Sequence, residues 1–227
     1  MVRLVLFDID GTLIRTGGAG VKAFRQVFAT EFKATDGFER LKFGGRTDFS
    51  LVREFFGSHG VPATEENFRR FFDRYVFWLD NILKESQTET CPGVVEFIRG
   101  LQKLPKPPLL GLLTGNIRLG AEIKLRHFNL WEVFHVGGFA DDSEERDQIA
   151  AVVKRRGACA LEEDLQDKQI VVIGDTPLDI RCARAIRAKA LAVATGGSTL
   201  QELKQYQPDW AVEDLGRLTP EQVVQGD

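Results

Sequence analysis

The chain has 227 residues, of which 43% are hydrophobic and 28% charged, an ordinary composition for a soluble globular protein. Lys and Arg total 30 against 33 for Asp and Glu, so the net charge of -3 offers no basic surplus for nucleic acid or an anionic membrane. No apolar run reaches the length of a membrane span, and no signal-peptide pattern precedes the first predicted strand. We therefore expect a cytoplasmic protein whose cysteines, Cys91, Cys159 and Cys182, are reduced thiols.

Five short apolar runs that end in Gly, Asp or Thr alternate with helical patterns along the chain. Near-continuous apolar runs of this kind predict the strands of a parallel sheet that helices cover on both faces. The runs are RLVLFD (3–8), LLGLLTGN (109–116), VFHVGGF (133–139), QIVVIGDT (169–176) and ALAVATGG (190–197). The sequence therefore predicts an α/β fold built on a parallel sheet.

Residues 15–90 interrupt this alternation with helical patterns and no convincing strand. Most of the 17 phenylalanines lie in this segment, many of them at helical spacing. A helix bundle with its own aromatic core explains them better than an aromatic cofactor pocket. We therefore expect a catalytic core of residues 1–14 and 91–227, a helical cap of residues 15–90, and a hinge at the glycine-rich residues 15–20.

Polar side chains follow three of the predicted strands where each strand ends. Asp8 and Asp10 follow the first strand in DIDGT, Thr114 follows the second in LLTGN, and Asp175 and Asp179 follow a later one in GDTPLD. The carboxyl ends of parallel strands share one edge of the sheet, where ligands bind. Carboxylates held close together repel one another unless a cation lies among them, and Mg²⁺ is commonly bound by carboxylates, waters and a substrate phosphate. The sequence therefore predicts a Mg²⁺ site at this edge.

Helix capping is an alternative role for some of these residues. Residues 176–179 (TPLD) fit a capping box with Pro177 in the first turn, and this role is as well supported for Asp179 as metal binding. Thr47 or Asp48 could likewise cap the helix FSLVREFF, and Asp48 is the favoured cap. Coincidence is the weaker explanation for the whole ordered set of strand-end residues.

The three motifs DIDGT, LLTGN and GDTPLD together resemble the signatures of the haloacid dehalogenase superfamily. More narrowly, the chain resembles the phosphoglycolate phosphatase-like members, in which a helical cap is inserted after the first motif. The resemblance covers nearly the whole chain. It implies a Rossmann-like core, a small mobile helical cap, and a Mg²⁺-dependent phosphatase that acts on a small phosphorylated metabolite.

The resemblance also implies roles for the carboxylates. Asp8 would be the nucleophile that forms an aspartyl-phosphate and would ligate the metal. Asp10 would be the general acid and then the general base, and its main-chain carbonyl would ligate Mg²⁺. Asp175 would complete the protein ligands, with Asp179 close behind or reaching the metal through water.

Substrate binding is implied for the second motif and for one loop of the cap. Thr114 and the main-chain amide of Gly115, with Asn116 beside them, would hold the phosphate at a helix start. Arg46, in the polar loop KFGGRTDFS (42–50), could reach an anionic group of the substrate.

The lysine that the family usually places before the last motif is missing. It commonly precedes proline at a helix start and steadies the nucleophile and the phosphate, but residues 137–156 contain no Lys-Pro. Arg146, expected in the first turn of a helix that Asp142 or Ser143 caps, is the favoured replacement because a guanidinium grips phosphate well. The alternative is a surface pair between Arg146 and a neighbouring carboxylate. Lys124 ranks lower because most helical phases would turn it to solvent.

Two other functions stay open. A sugar phosphomutase of the same superfamily would need a bisphosphate activator and would release little free phosphate. A non-catalytic binding or regulatory protein on this scaffold is supported only by the missing lysine. The second aspartate of DIDGT argues against the dehalogenases and the phosphonate-cleaving relatives. Phosphoglycolate, a sugar phosphate and a nucleotide all remain possible substrates, and the protein could be a monomer or a homodimer.

Overall fold

A computed structural model describes residues 1–225 of the chain. Its strands are β1 (Leu4–Phe7), β2 (Ile14–Arg15), β3 (Glu89–Thr90), β4 (Leu109–Leu113), β5 (Val136–Gly138), β6 (Ile170–Gly174), β7 (Lys189–Val193) and β8 (Trp210–Val212). Its helices are α1 (Ala19–Glu31), α2 (Asp48–Ser58), α3 (Glu65–Glu85), α4 (Val94–Lys103), α5 (Arg118–His127), α6 (Arg146–Leu161), α7 (Pro177–Ala185), α8 (Leu200–Gln205) and α9 (Pro220–Gln225). None of these helices is long and apolar enough to span a membrane.

Six of the strands form one sheet in the order β5-β4-β1-β6-β7-β8, and every neighbouring pair in it is parallel. All five strands predicted from the apolar runs lie in this sheet, which confirms the α/β fold. The sequence did not predict the edge strand β8. It also did not predict the two-residue strands β2 and β3, which pair antiparallel with one another. These elements are too short to leave a periodic pattern.

Alternate residues of β1 pack into the apolar layers on the two faces of the sheet. Val5 lies in one cluster with Phe97 of α4, whereas Leu4 and Leu6 lie in the other with Val153 of α6. All four residues of β1 are fully buried, as a central strand between two helical layers requires. The carboxyl end of β1 is therefore a rigid support for the residues that follow it.

Helices α1, α2 and α3 pack around a shared aromatic core. Phe24 of α1 meets Tyr75 of α3 with ring centroids 4.8 Å apart, and Phe71 and Phe56 are also fully buried there. The helical spacing of the aromatic residues predicted such a core. The ribbon of β2 and β3 joins the two ends of the helical segment, and its position agrees with the cap boundaries of 15–90, which stay a prediction.

Helix α6 begins at Arg146, so the predicted N-caps Asp142 and Ser143 are wrong. Glu145 occupies the N-cap position, and the preceding residues form a turn instead. The Asp142 carboxylate accepts a hydrogen bond from the Phe139 amide, and the Ser143 hydroxyl accepts one from the Glu145 amide. Both side chains are thus engaged before the helix starts.

Candidate active site

The structure brings the predicted strand-end residues together at one edge of the sheet. Asp8 follows β1, Thr114 follows β4, Asp175 follows β6, and Asp179 lies in the first turn of α7. One carboxylate oxygen each from Asp8, Asp175 and Asp179 lie within 4.8 Å of one another, and all three residues are buried. Asp8 and Asp175 line a cavity of about 460 Å³ together with Asp10 and Thr114.

The three buried carboxylates are short of positive charge. Burial and the neighbouring Asp179 raise the pKa of Asp8 well above its usual value, although the Arg146 guanidinium opposes this shift. Burial, and then Asp179, raise the pKa of Asp175 to about 7. Burial of the negative charges of Asp8 and Asp175 is thus unfavourable without a further cation, and their oxygen ligands suit a hard divalent cation such as Mg²⁺.

Asp175 is oriented by two groups that the sequence did not predict at the site. The Thr12 hydroxyl donates to Asp175 Oδ1 at 3.1 Å, and the Gly197 amide donates to Oδ2 at 3.2 Å. A Cβ atom on Gly196 would lie 1.7 Å from Asp175 Oδ2, so only glycine fits in this loop after β7. The pair Gly-Gly after an apolar run was the signal available in the sequence.

Asp179 is both a helix cap and a member of the carboxylate cluster. Its Oδ2 accepts hydrogen bonds from the Thr176 amide at 3.0 Å and the Thr176 hydroxyl at 2.7 Å, which confirms the predicted capping box. Its Oδ1 contacts the Arg146 guanidinium. Since Asp179 is held both by the guanidinium of Arg146 and by the first turn of α7, Asp8 and Asp175 are the cluster's better candidates for direct metal ligands.

Arg146 faces the cluster from the first position of α6. It is only 8% exposed, so the alternative of a surface ion pair is wrong. One guanidinium nitrogen, Nη2, lies 3.5 Å from Asp8 Oδ1 and also contacts Asp179. Its Nε is buried without a hydrogen-bond partner in residues 1–225. Arg146 therefore presents a cation to Asp8 at the helix start where the family usually has lysine.

Asp48 joins the helical segment to the predicted phosphate loop, residues 114–116. The prediction that Asp48 caps α2 is wrong. Thr47 is the N-cap of α2, and its hydroxyl accepts from the Ser50 amide at 3.3 Å. The Asp48 carboxylate instead accepts from the Ile117 amide at 2.8 Å, at the start of α5, and the Asp48 amide donates to Gly115 O at 2.7 Å. Burial raises the pKa of Asp48 to about 7.

Arg46 lies at the cavity wall, but its guanidinium is already paired. Nη1 lies 2.5 Å from Glu54 Oε2, and Nη2 donates to the Ser50 carbonyl at 3.2 Å. The Arg46 main chain packs against the predicted phosphate loop so closely that a Cβ on Gly115 would lie 2.1 Å from the Arg46 carbonyl oxygen. The close approach explains the glycine of LLTGN, whereas contact of Arg46 with a substrate stays a prediction.

The expectation that Lys124 points to solvent is wrong. Lys124 is 3% exposed, and its Nζ lies 2.6 Å from Asp10 Oδ2 and 2.6 Å from Asn116 Oδ1. Ile117 and Ala121 lie seven and three positions before Lys124, a spacing that places all three on the same buried face of the α5 region. That apolar face was the sequence signal that could have placed Lys124 inside.

Comparison with known proteins agrees with the geometry. Residues 5–193 match the family model of the haloacid dehalogenase-like hydrolases. A bifunctional riboflavin kinase/FMN phosphatase of Arabidopsis thaliana is 25% identical over 190 residues, covering 83% of this chain but only 48% of that longer protein. A phosphoglycolate phosphatase of Pseudomonas savastanoi pv. phaseolicola is 26% identical over 232 residues, covering 96% of this chain and 79% of that protein.

A solved structure shows the same fold at low sequence identity. A candidate β-phosphoglucomutase from Bacteroides vulgatus superposes with a TM-score of 0.73 at 19% identity, covering 99% of this chain and 89% of that one. This likeness concerns the fold alone, whereas the family model covers most of the sequence. The chain therefore belongs to the haloacid dehalogenase-like hydrolase family, as a phosphatase-like member.

Proposed function

We propose that this protein is a Mg²⁺-dependent phosphatase that hydrolyses a small phosphate monoester through an aspartyl-phosphate on Asp8. The observation that carries the proposal is the environment of the Asp8 carboxylate. It is buried at the end of a rigid strand beside two further carboxylates, and its nearest cationic partner, Arg146, is 3.5 Å away. A carboxylate is a known nucleophile for phosphoryl transfer when it is held close to its target.

Asp8, Asp175 and the main-chain carbonyl of Asp10 would hold the Mg²⁺ ion, with Asp179 behind them. Bound there, the ion would neutralise the crowded carboxylates and the charge of the substrate phosphate. The oxygen-only donor set and the raised pKa values of Asp8 and Asp175 support this assignment.

The remaining residues supply binding and proton transfer. Thr114, the Gly115 amide and Arg146 would hold the phosphate oxygens while Asp8 attacks phosphorus and the bond to the leaving oxygen breaks. Asp10, as the general acid, gives that oxygen its proton. A water molecule then attacks phosphorus, Asp10 takes the water proton, and the bond between Asp8 and phosphorus breaks to release phosphate.

The cavity limits the size of the substrate and supports cap closure. Its volume of about 460 Å³ suits a small phosphorylated metabolite, and its walls combine the strand-end residues with Phe24 and Tyr75 of the helical segment. We propose that this segment closes over the substrate and excludes bulk water, as a monomer or in a homodimer. The cytoplasm remains the proposed compartment.

The proposal is tested by measuring phosphate release from a panel of esters, with Mg²⁺ and then with excess chelator. The panel contains phosphoglycolate, a hexose phosphate, a nucleoside monophosphate and p-nitrophenyl phosphate. We expect release that depends on the metal and ranks the esters by fit to the cavity. Turnover that requires a sugar bisphosphate and yields an isomer would identify a mutase. Mg²⁺ binding without either reaction would identify a non-catalytic protein.

A further inference from the structure

Lys124 is a buried cation that the proposed reaction does not yet use. It lies on α5, the helix that follows the phosphate loop, and its side chain is 4% exposed. Burial of an ammonium group is strongly unfavourable unless the group is paired and hydrogen-bonded. Its Nζ meets both conditions, with Asp10 Oδ2 and Asn116 Oδ1 each at 2.6 Å. The arrangement is therefore a built feature of the site.

Asn116 closes a three-residue network around one oxygen of Asp10. Its Nδ2 donates to Asp10 Oδ2 at 2.9 Å and to the Thr114 hydroxyl at 2.8 Å, while its Oδ1 accepts from Lys124. Two donors thus fix Asp10 Oδ2 from the loop and from the helix. In residues 1–225 no hydrogen bond reaches the other oxygen, Oδ1, and the Asp10 side chain is 43% exposed beside the cavity.

Helices α1 and α3 of the helical segment pack over the Lys124 ammonium group. A Cβ on Gly20 of α1 would lie 3.6 Å from Lys124 Nζ and 3.8 Å from the Tyr75 hydroxyl. Tyr75 itself is 1% exposed. The ammonium group is therefore enclosed between α5 and the helical segment, where its rotation is restricted and its attraction to Asp10 is screened little.

We propose that Lys124 is a positioning residue for Asp10. By holding Oδ2, it leaves Oδ1 as the atom that transfers the proton, and it keeps that atom aimed into the cavity. The Oδ1 proton passes to the leaving oxygen as the bond from phosphorus to that oxygen breaks and the bond to Asp8 forms. A water proton returns to Oδ1 in the second step, as the water oxygen bonds to phosphorus and the bond to Asp8 breaks. Lys124 keeps its own protons throughout.

This inference rests on the proposed function and is tested with Lys124→Met, with Lys124→Arg and Lys124→Gln as conservative variants. For an alkyl phosphate such as glycerol phosphate, we expect Lys124→Met to lower kcat by about 10²-fold, because general acid and base catalysis contributes 10² or more. KM should change by less than about threefold, since Lys124 acts through Asp10. Lys124→Arg should recover part of the loss, and Lys124→Gln less.

Burst kinetics with p-nitrophenyl phosphate provide a readout that a merely structural defect would not give. Its leaving group needs little protonation, so Asp8 should still be phosphorylated rapidly in Lys124→Met. Hydrolysis of the aspartyl-phosphate still needs Asp10 as base, and we expect one nitrophenol per site followed by slow turnover. Asp10→Asn should show the same burst, and the double variant should lose no more activity than Asp10→Asn alone.

Three results would overturn the inference. A raised KM with unchanged kcat would make Lys124 a phosphate-binding residue. Additive losses in the double variant would separate Lys124 from Asp10. The third result is independent of activity. If crystals of Lys124→Met without substrate showed the Asp10 carboxylate in the single wild-type orientation, Lys124 would not be what positions it. Failure of the proposed function is recognised separately, because wild type would then release no phosphate or Asp8→Asn would equal it.

Discussion

The two sides of the active site hold their carboxylates in opposite ways. On the cluster side, Asp8, Asp175 and Asp179 are buried together, and a single guanidinium, that of Arg146, contacts Asp8 and Asp179. On the lysine side, comprising Asp10, Asn116 and Lys124, a single partly exposed carboxylate receives an ammonium and an amide on one oxygen. Asp8 and Asp10 are two positions apart in the chain, yet they lie on different sides of this division.

The difference separates two chemical tasks. A nucleophile and metal ligand must keep lone pairs free, so crowding without enough hydrogen-bond donors suits Asp8. A proton-transfer group must instead keep a fixed direction through both steps, so firm partners on one oxygen suit Asp10. Variants on each side should therefore fail in different ways.

The largest effect is expected on the cluster side, from Asp8→Asn. An amide cannot form the aspartyl-phosphate, and we expect steady-state phosphate release to fall by at least about 10⁴-fold. The matched control is Asp73→Asn on the exposed face of α3, which should keep wild-type activity. Steady hydrolysis by Asp8→Asn above about 1% of wild type would show that another group is the nucleophile.

Arg146→Met should have the next largest effect, on stability as well as on turnover. It leaves the buried carboxylates of Asp8 and Asp179 without their guanidinium, and loss of one partner from a buried ion pair costs about 3–5 kcal/mol. Arg146→Lys keeps the charge but not the fork, and should recover most of the stability and less of the activity. Chemical denaturation and phosphate release measure the two effects. Equal stability of Arg146→Met and wild type would show that the pairing is not needed.

The strand-end residues were predictable from the sequence because their positions follow from topology. Apolar runs predict parallel strands, and parallel strands place their carboxyl ends at one edge, so Asp8, Thr114 and Asp175 converge whatever the loops do. Asp179 was predictable for a local reason, since its capping box lies within four consecutive residues.

The lysine side was not predictable in the same way. The direction of Lys124 depends on the rotation of α5, which is set by contacts from distant parts of the chain. One of these is the Asp48 carboxylate, which receives the Ile117 amide across 69 positions of sequence. A local propensity argument favoured Asp48 as a cap for its own helix, but Thr47 holds that place and frees Asp48 for the longer contact. The apolar face of α5 indicates that Lys124 is buried, but a tertiary contact such as that of Asp48 with Ile117 leaves no periodic signal that would identify the partners of Lys124.

Metal removal should lower stability by a smaller amount than loss of Arg146. A ligand at about 100 times its Kd adds about 2.7 kcal/mol, so saturating Mg²⁺ should raise the Tm at pH 7.5 by roughly 5–10 °C over chelator-treated protein. Asp175→Asn removes one proposed ligand and should reduce that difference. If Mg²⁺ raised the Tm of Asp175→Asn as much as that of the wild type, the ion would not bind at Asp175.

The stability of the metal-free protein should also depend on pH, and the direction of the change follows from the cluster side. Without the ion, the raised pKa values of Asp8 and Asp175 mean that the folded protein binds more protons than the unfolded chain between about pH 4 and 7. The unfolding free energy should therefore fall as the pH rises through this window. Asp48, whose pKa is also raised to about 7, adds to the fall, and Asp48→Asn should flatten it. If the Tm of chelator-treated protein rose from pH 5 to 7.5, the buried carboxylates of Asp8 and Asp175 would not have the raised pKa values from which this prediction is made.

The smallest effect concerns Arg46, a cation at the cavity wall that belongs to neither side. Its pair with Glu54 is partly exposed, with 27% and 49% of the two side chains accessible, and such pairs contribute about 0–1 kcal/mol. Glu54→Gln should release the guanidinium toward a second anionic group of the substrate. We expect kcat/KM for phosphoglycolate to rise about two- to fivefold relative to glycerol phosphate, within that energy.

Two further variants decide whether that gain comes from Arg46. Glu54→Gln combined with Arg46→Met should lose the gain, because no cation remains to be released. Glu122→Gln, which weakens a comparable exposed pair with Arg126 on α5, should leave the ratio of the two esters unchanged. A gain that persists in the double variant would mean that the charge of Glu54 itself repels the anionic ester. Arg46 would then not select the substrate, and the choice of substrate would depend on the shape of the cavity and on the residues of the cluster side and the lysine side.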